Sequence, residues 1–258
     1  MKKIYIAFSG LVLAGLAAYG GSHAIMSSRT QSVQPKLKAN DEVMARGEYV
    51  ARSSDCFACH SVPGGQAYAG GLAMQTPVGA IYSTNITPDP ETGIGKYSLA
   101  QFTNAVKHGV RDDGEPLYPA MPYPSYTIMP DEDVEAMYAF FMHKVQPVKQ
   151  ANQASTMPWL MSMRWPVAYW QGLFAPAREF VANPKWDTST NRGAYLVEGP
   201  GHCGACHTPR GVAYQEKSLS MADNDSFLSG AVVDGWRAKS LRGEGNGLGE
   251  WRESDIAQ

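Results

Sequence analysis

At 258 residues the chain is long enough for one large domain or two smaller ones. Its formal net charge of −2, with 18 % charged residues, provides no basic field for a nucleic-acid partner. Seventeen Pro and 26 Gly predict a loop-rich architecture, and four Cys are too few for a disulfide framework once their spacing is considered.

The N-terminus begins Met1-Lys2-Lys3 and continues apolar from Ile4 to about Gly21, with small residues Ser22 and Ala24 beyond. A basic start, an apolar run and small residues around a cut after Ala24 describe a secretory signal over 1–24, or an uncleaved anchor near the lower length limit for a membrane span. Either places the remainder outside the cytoplasm. Residues 25–40 are polar and are expected to be a mobile lead-in. Asp41 is positioned to cap a helix carrying Val43, Gly47 and Val50 on one face. Gly47 costs such a helix about 1 kcal/mol relative to Ala, which suggests a close crossing by another helix.

The run Cys56-Phe57-Ala58-Cys59-His60 follows. C-x-x-C-H is the attachment sequence of c-type haem: two thiols bond to the macrocycle edge, and the His ligates the iron. The segment 61–91 reads as a Gly- and Pro-rich loop whose Ala80 and Ile81 would wrap the haem edge. Ser98 and Gln101 form a capping box opening a helix with Phe102, Ala105 and Val106 inward, ended by His108 and Gly109. A further helix starts near Asp131 with Val134, Met137, Tyr138, Phe141 and Val145 at helical spacing, and Gln146-Pro147 stops it. Between these helices Met121 stands among Pro119, Pro122 and Pro124 and is the candidate sixth ligand of the first iron. The alternative is a packing role, as for Met137 and Met142; His108 and His143 are the rival ligands. The order helix, haem motif, loop, helix, Met loop, helix is that of a class I cytochrome c domain, here over 41–146.

Residues 147–190 form a connector whose centre, Met157 to Pro166, is dense in aromatics and Met. A free linker would be polar, so this one is expected to pack across two domains or under a partner. The haem motif then recurs as Cys203-Gly204-Ala205-Cys206-His207 in a second domain over 191–258. With 143 residues between Cys59 and Cys203, a zinc ribbon is excluded. Arg46-Gly47-Glu48-Tyr49 recurs as Arg192-Gly193-Ala194-Tyr195, and Gly93-Ile94-Gly95-Lys96-Tyr97 as Gly247-Leu248-Gly249-Glu250-Trp251, in the same order, which predicts a duplicated domain. Met121 follows Gly93 by 28 residues, and the same offset from Gly247 passes Gln258. The second domain is therefore expected to be incomplete and the sequence to be an N-terminal fragment; Met221 and His202 are unsuited to be its sixth ligand. Gly199 to Gly204 matches G-x-G-x-x-G but overlaps the haem motif and is rejected as a dinucleotide fingerprint.

The runs Tyr82-Ser83-Thr84-Asn85-Ile86-Thr87-Pro88-Asp89, Leu117-Tyr118-Pro119-Ala120-Met121-Pro122-Tyr123-Pro124, Met161-Ser162-Met163-Arg164-Trp165-Pro166 and Gly199 to Gly211 resemble the cytochrome c subunit of bacterial membrane-bound dehydrogenases, of the gluconate, sorbitol or fructose flavin type or the quinoprotein alcohol or aldehyde type. The resemblance implies a mostly α fold of tandem class I cytochrome c domains. It implies haem c at two covalent sites here, with a third in the full-length family: Cys56, Cys59 and His60 with Met121, then Cys203, Cys206 and His207. It also implies a catalytic partner holding FAD or PQQ, delivery of electrons to ubiquinone at the periplasmic side of the inner membrane, and no substrate chemistry in this chain. The competing expectations are a diheme subunit of a haem-copper oxidase and a diheme peroxidase.

Overall fold

The N-terminal helix α1 (Lys2–Arg29) does not stand free of the rest of the chain. Its second half lies on α7 (Trp165–Phe174), where Tyr169 donates its hydroxyl proton to the Ala18 carbonyl at 2.7 Å. Met26 is buried with Val110 and Ala168. Arg29 donates to the carbonyls of His108 and Ala175 at 3.1 and 2.8 Å. The computed structural model describes residues 2–233, 235–245 and 247–256. The extreme ends assigned to the leader and to the second domain lie outside them. Among the described residues no helix is long and apolar enough to cross a membrane.

The expected mobile lead-in is tied down. Gln31 and Asn104 exchange two hydrogen bonds at 2.8 and 2.9 Å, and the backbone N–H groups of Lys36 and Leu37 both donate to Glu135 at 2.8 Å. The segment thus satisfies a buried carboxylate that would otherwise be costly. In α2 (Asp41–Ser53) the cap is Asn40, whose side chain accepts from the Val43 N–H; Asp41 is the first helical residue, where its charge favours the helix N-terminus. Gly47, Val50 and Ala51 form the buried face.

Helix α3 (Cys56–Cys59) is a single turn. The loop after it contains a hairpin absent from the sequence reading: β1 (Ala73–Thr76) pairs antiparallel with β2 (Gly79–Tyr82), Ala73 opposite Tyr82. Gly79 takes φ of 133°, which a side chain would resist. Helix α4 (Leu99–His108) has the capping box of Ser98 and Gln101 and ends at Gly109 with φ of 64°. The one-turn α5 (Tyr123–Tyr126) follows the Met121 loop, and α6 (Asp131–His143) closes the first core. Val134, Met137 and Phe141 are buried on α6, with Val50, Phe102 and Tyr126 from neighbouring elements. Helices α2 and α6 cross at Gly47: a Cβ there would collide with the Ala136 carbonyl and lie 2.9 Å from Phe140 Cβ.

The connector holds α7, and α8 (Thr188–Glu198) starts inside its expected range, capped by Asp187. Beyond α8 come α9 (Gly204–His207), the hairpin of β3 (Ala231–Val233) and β4 (Trp236–Ala238), and α10 (Glu253–Ile256). Helices make up 38 % of the chain, so the mostly α expectation holds only in that helix outweighs strand; turns and loops fill the rest.

The connector does pack across both halves. Arg164 stacks on the Tyr118 ring at 4.2 Å, Trp170 Nε1 donates to the Ala213 carbonyl at 2.9 Å, and Arg178 donates to the carbonyls of Pro124 and Leu219, both at 3.3 Å. Trp159, Leu160 and Met161 remain exposed.

Candidate functional site

Each haem motif enters on a residue in the left-handed backbone region: Asp55 with φ of 52° and His202 with φ of 36°. Neither is Gly, and such conformations persist only where the surroundings over-determine them. The reversal starts α3 and α9, and one helical turn sets the spacing of each thiol pair. Cys56, Cys59, Cys203 and Cys206 are all free thiols. Burial, then Cys59 and Asp55, push the Cys56 thiol up to about 12; burial first, then Asp55 and Cys206, raise Cys59. A shift in this direction is opposite to that of the depressed thiols of dithiol oxidoreductases.

The two motif histidines make the same kind of ring contact. His60 Nδ1 lies 2.6 Å from the Thr84 carbonyl, and His207 Nδ1 lies 2.7 Å from the Lys239 carbonyl. Nδ1 must carry the proton to make these bonds, which leaves the Nε2 lone pair free to bind a metal. Burial lowers the His60 pKa, partly offset by the Thr84 bond, and this favours the neutral, ligating imidazole. The backbone repeats too: the carbonyl of His60 accepts from Gly70 N–H at 2.7 Å and that of His207 from Gly230 N–H at 2.8 Å. Downstream, Ile94 N–H donates to Thr87 and Tyr97 N–H to Ile94, as Leu248 N–H donates to Arg242 and Trp251 N–H to Leu248. The acceptors Thr84 and Lys239 are not legible in the sequence, because a carbonyl carries no side-chain signature.

Met121 is partly buried against the same core that receives Cys56. Its loop is held by Tyr123, which is fully buried and donates its N–H to the Met121 carbonyl at 2.9 Å. The rival His108 sits among Arg29, Lys107 and Asp131 at the end of α4; burial first, then the charges of Lys107 and Arg29, lower it to about 4. His143 is exposed at the end of α6. Met221 is exposed and offers its N–H to Glu198, and His202 Nδ1 lies 2.9 Å from the Pro200 carbonyl.

The donor set fits covalent haem: paired free thiols, a neutral imidazole oriented by its far nitrogen, and a thioether packed on the same apolar core as Cys56. No cluster of His, Cys, Asp and Glu suited to a bare metal ion occurs among the described residues. The motifs also lie next to each other. Tyr126 donates to the carbonyl of Ser54 at 2.6 Å and stacks edge-on against His202, with 5.6 Å between ring centroids. His202 Nε2 lies 3.8 Å from Asp55 Oδ2.

Comparison with known proteins agrees with this chemistry. The cytochrome c family matches residues 44–144. The chain is 58 % identical over 225 residues to the gluconate 2-dehydrogenase cytochrome c subunit of Pantoea cypripedii, covering 86 % of this chain and 51 % of that one. It is 54 % identical over 221 residues to the cytochrome c subunit of the quinone alcohol dehydrogenase of Gluconacetobacter polyoxogenes, covering 84 % and 47 %. A diheme cytochrome c-type protein of Cereibacter sphaeroides is 31 % identical over 257 residues, 97 % of this chain and 82 % of that one. The chain spans about half the length of the first two relatives. Free thiol pairs, oriented imidazoles and these likenesses agree: the chain belongs to the c-type cytochromes, a family whose cofactor is covalently bound haem c.

Proposed function

We propose that the chain is a non-catalytic electron-transfer subunit with two tandem cytochrome c domains, taking electrons from a flavin or quinoprotein dehydrogenase and passing them towards ubiquinone at the periplasmic face of the inner membrane. The observation that carries this reading is the duplicated imidazole geometry, His60 on Thr84 and His207 on Lys239. Haem c, once bound, supplies reversible one-electron chemistry. The residues of the chain do the rest. Cys56 and Cys59, and Cys203 and Cys206, form the thioether anchors. His60 and His207 present Nε2 to the iron. Met121 would supply a soft thioether ligand to the first site's iron, which would raise its reduction potential. The buried Tyr126, Met129, Phe140 and Phe141 keep water from the thiol side of that site. Residues 1–24, read as a secretory signal or an uncleaved anchor, would supply the export that haem attachment outside the cytoplasm requires. The relatives' names place them in gluconate and alcohol dehydrogenases, which supports an alcohol, sugar or sugar acid as the partner's substrate.

Exported protein should gain the mass of one haem at each Cys pair. Its bands should become reduced, without oxygen, only when both the catalytic subunit and its substrate are added. A colourless polypeptide, or haem that stays oxidised in the complete mixture, overturns the reading. Met121→Leu should retain both haems while the first site's reduction potential falls, as read by spectroelectrochemical titration. An unaltered spectrum and potential would remove Met121 from the ligand set.

A further inference from the structure

Two independent electron carriers on one chain need only a linker. This chain has a built junction instead. The residue before each attachment motif is the one that meets the other motif: Asp55 precedes Cys56, His202 precedes Cys203, and their side chains approach to 3.8 Å. Both hold a left-handed backbone, at φ of 52° and 36°. Non-Gly residues hold that conformation where their surroundings over-determine it. The His202 side chain is only 16 % exposed, with Nδ1 toward its own Pro200 carbonyl and Nε2 toward Asp55. Tyr126 fills the remaining side. It follows the Met121 loop directly, its hydroxyl donates to Ser54 and its ring meets His202 edge-on, interplanar angle 81°. One tyrosine therefore touches the approach to both motifs.

A second set of contacts clamps the same two halves farther out. Asp133 accepts from Arg46 at 2.7 Å and from the Tyr195 hydroxyl at 2.5 Å, and Arg192 lies over the rings of Tyr49 and Tyr195. The helices that carry the sequence repeat thus hold one another as well as their own motifs.

We propose that Asp55, Tyr126 and His202 are positioning residues that fix the two haem-attachment motifs edge to edge, so that an electron passes between the two sites across a rigid contact with no domain movement. The step balances simply: one ferrous centre is oxidised, one ferric centre is reduced by the same electron, no bond forms or breaks and no proton moves. The inference rests on the reading of two haem sites given above.

The test uses the full-length protein with both haems attached, counted first by haemochrome and mass. Finding fewer than two haems in the native protein would defeat the two-site reading and not this one. With two present, the protein is partly reduced by a light flash and re-equilibration between the sites is followed at the haem bands. The native rate should be independent of added glycerol; a rate that falls in proportion to viscosity would overturn the proposal. His202→Asn keeps a side chain that tolerates the left-handed backbone but removes the ring. It should slow equilibration several-fold with haem content and the separate potentials unchanged. Asp55→Asn should slow it less. If His202→Asn does not fold, Asp55→Asn and the viscosity series decide. Native rates in both variants would show that the junction positions nothing.

Discussion

Phe57 and Gly204 occupy the same place in the two attachment motifs and do different things. Phe57 is 52 % exposed and its ring stacks edge-on against Tyr68. Gly204 is buried, and a Cβ there would lie 2.6 Å from Glu216 Oε2 and 3.0 Å from the Phe227 ring. Haem attachment leaves the two spacer residues free, so the second motif can use one of them to admit a carboxylate. Glu216 Oε2 is buried without a hydrogen-bond partner among the described residues. Burial raises its pKa from 4.5 to about 7, although Arg210 and Arg178 pull it back. The folded chain therefore keeps a proton on Glu216 where the unfolded chain has lost it. That contribution to stability is complete below the unfolded value and declines as pH rises through the folded one. Glu216→Gln imitates the protonated form. Its denaturant midpoint should equal the native one near pH ~5 and exceed it near pH ~8, with both proteins compared in the haem-loaded form. A variant that tracks the native protein at both pH values would show that Glu216 is ionised in the fold throughout.

At the scale of elements, the sequence is legible where large apolar residues recur at helical spacing. Helices α4 and α6 follow the expected apolar spacing, and the Ser98–Gln101 box opens α4 as read. Helix α7 escapes such a reading because Trp165 to Phe174 is apolar nearly all round: one side meets α1, yet Leu173 is 74 % exposed. The two hairpins escape it because strands of four and three residues carry too little alternation to see. The close crossing suspected at Gly47 is real, and its repeat partner supplies an internal control. Gly193 is exposed in α8, and a Cβ added there would have nothing within 4 Å. Gly47→Ala should destabilise the first core by about 1–3 kcal/mol, since α2 must move off α6. Gly193→Ala should stabilise the chain by up to about 1 kcal/mol through helix propensity alone. Thermal melts of the two variants beside the native protein separate the cases; equal and small shifts would mean that the α2–α6 crossing relaxes at no cost.

Over the whole molecule, the repeat is legible but the way its copies meet is not. The order of motifs predicts two domains, yet only the folded chain brings Asp133, at the start of α6, between Arg46 of α2 and Tyr195 of α8. Asp133 and Tyr195 are both buried, so this contact is shielded from solvent in a way that the exposed pairs Lys144–Asp41 and Lys149–Glu91 are not. Burial first, and then the Asp133 carboxylate, hold the Tyr195 hydroxyl protonated and donating. Asp133→Ala removes both acceptor atoms and leaves the Tyr195 hydroxyl inside with no partner, at a cost of about 1–3 kcal/mol. The Arg46 bond to that carboxylate ties α2 to α6 and the Tyr195 bond ties α6 to α8, while Val134, Met137 and Phe141 still pack without it, so the part of the loss peculiar to Tyr195 should fall on the contact between the halves. The expected result is a first unit that still melts cooperatively, together with faster proteolytic cutting between α7 and α8. Tyr195→Phe, which removes the donor and leaves Asp133 its bond from Arg46, should do less. If both variants are cut at the native rate, the clamp at Asp133 is redundant with the connector contacts of Arg178 and Trp170, and those would be what holds the two halves together.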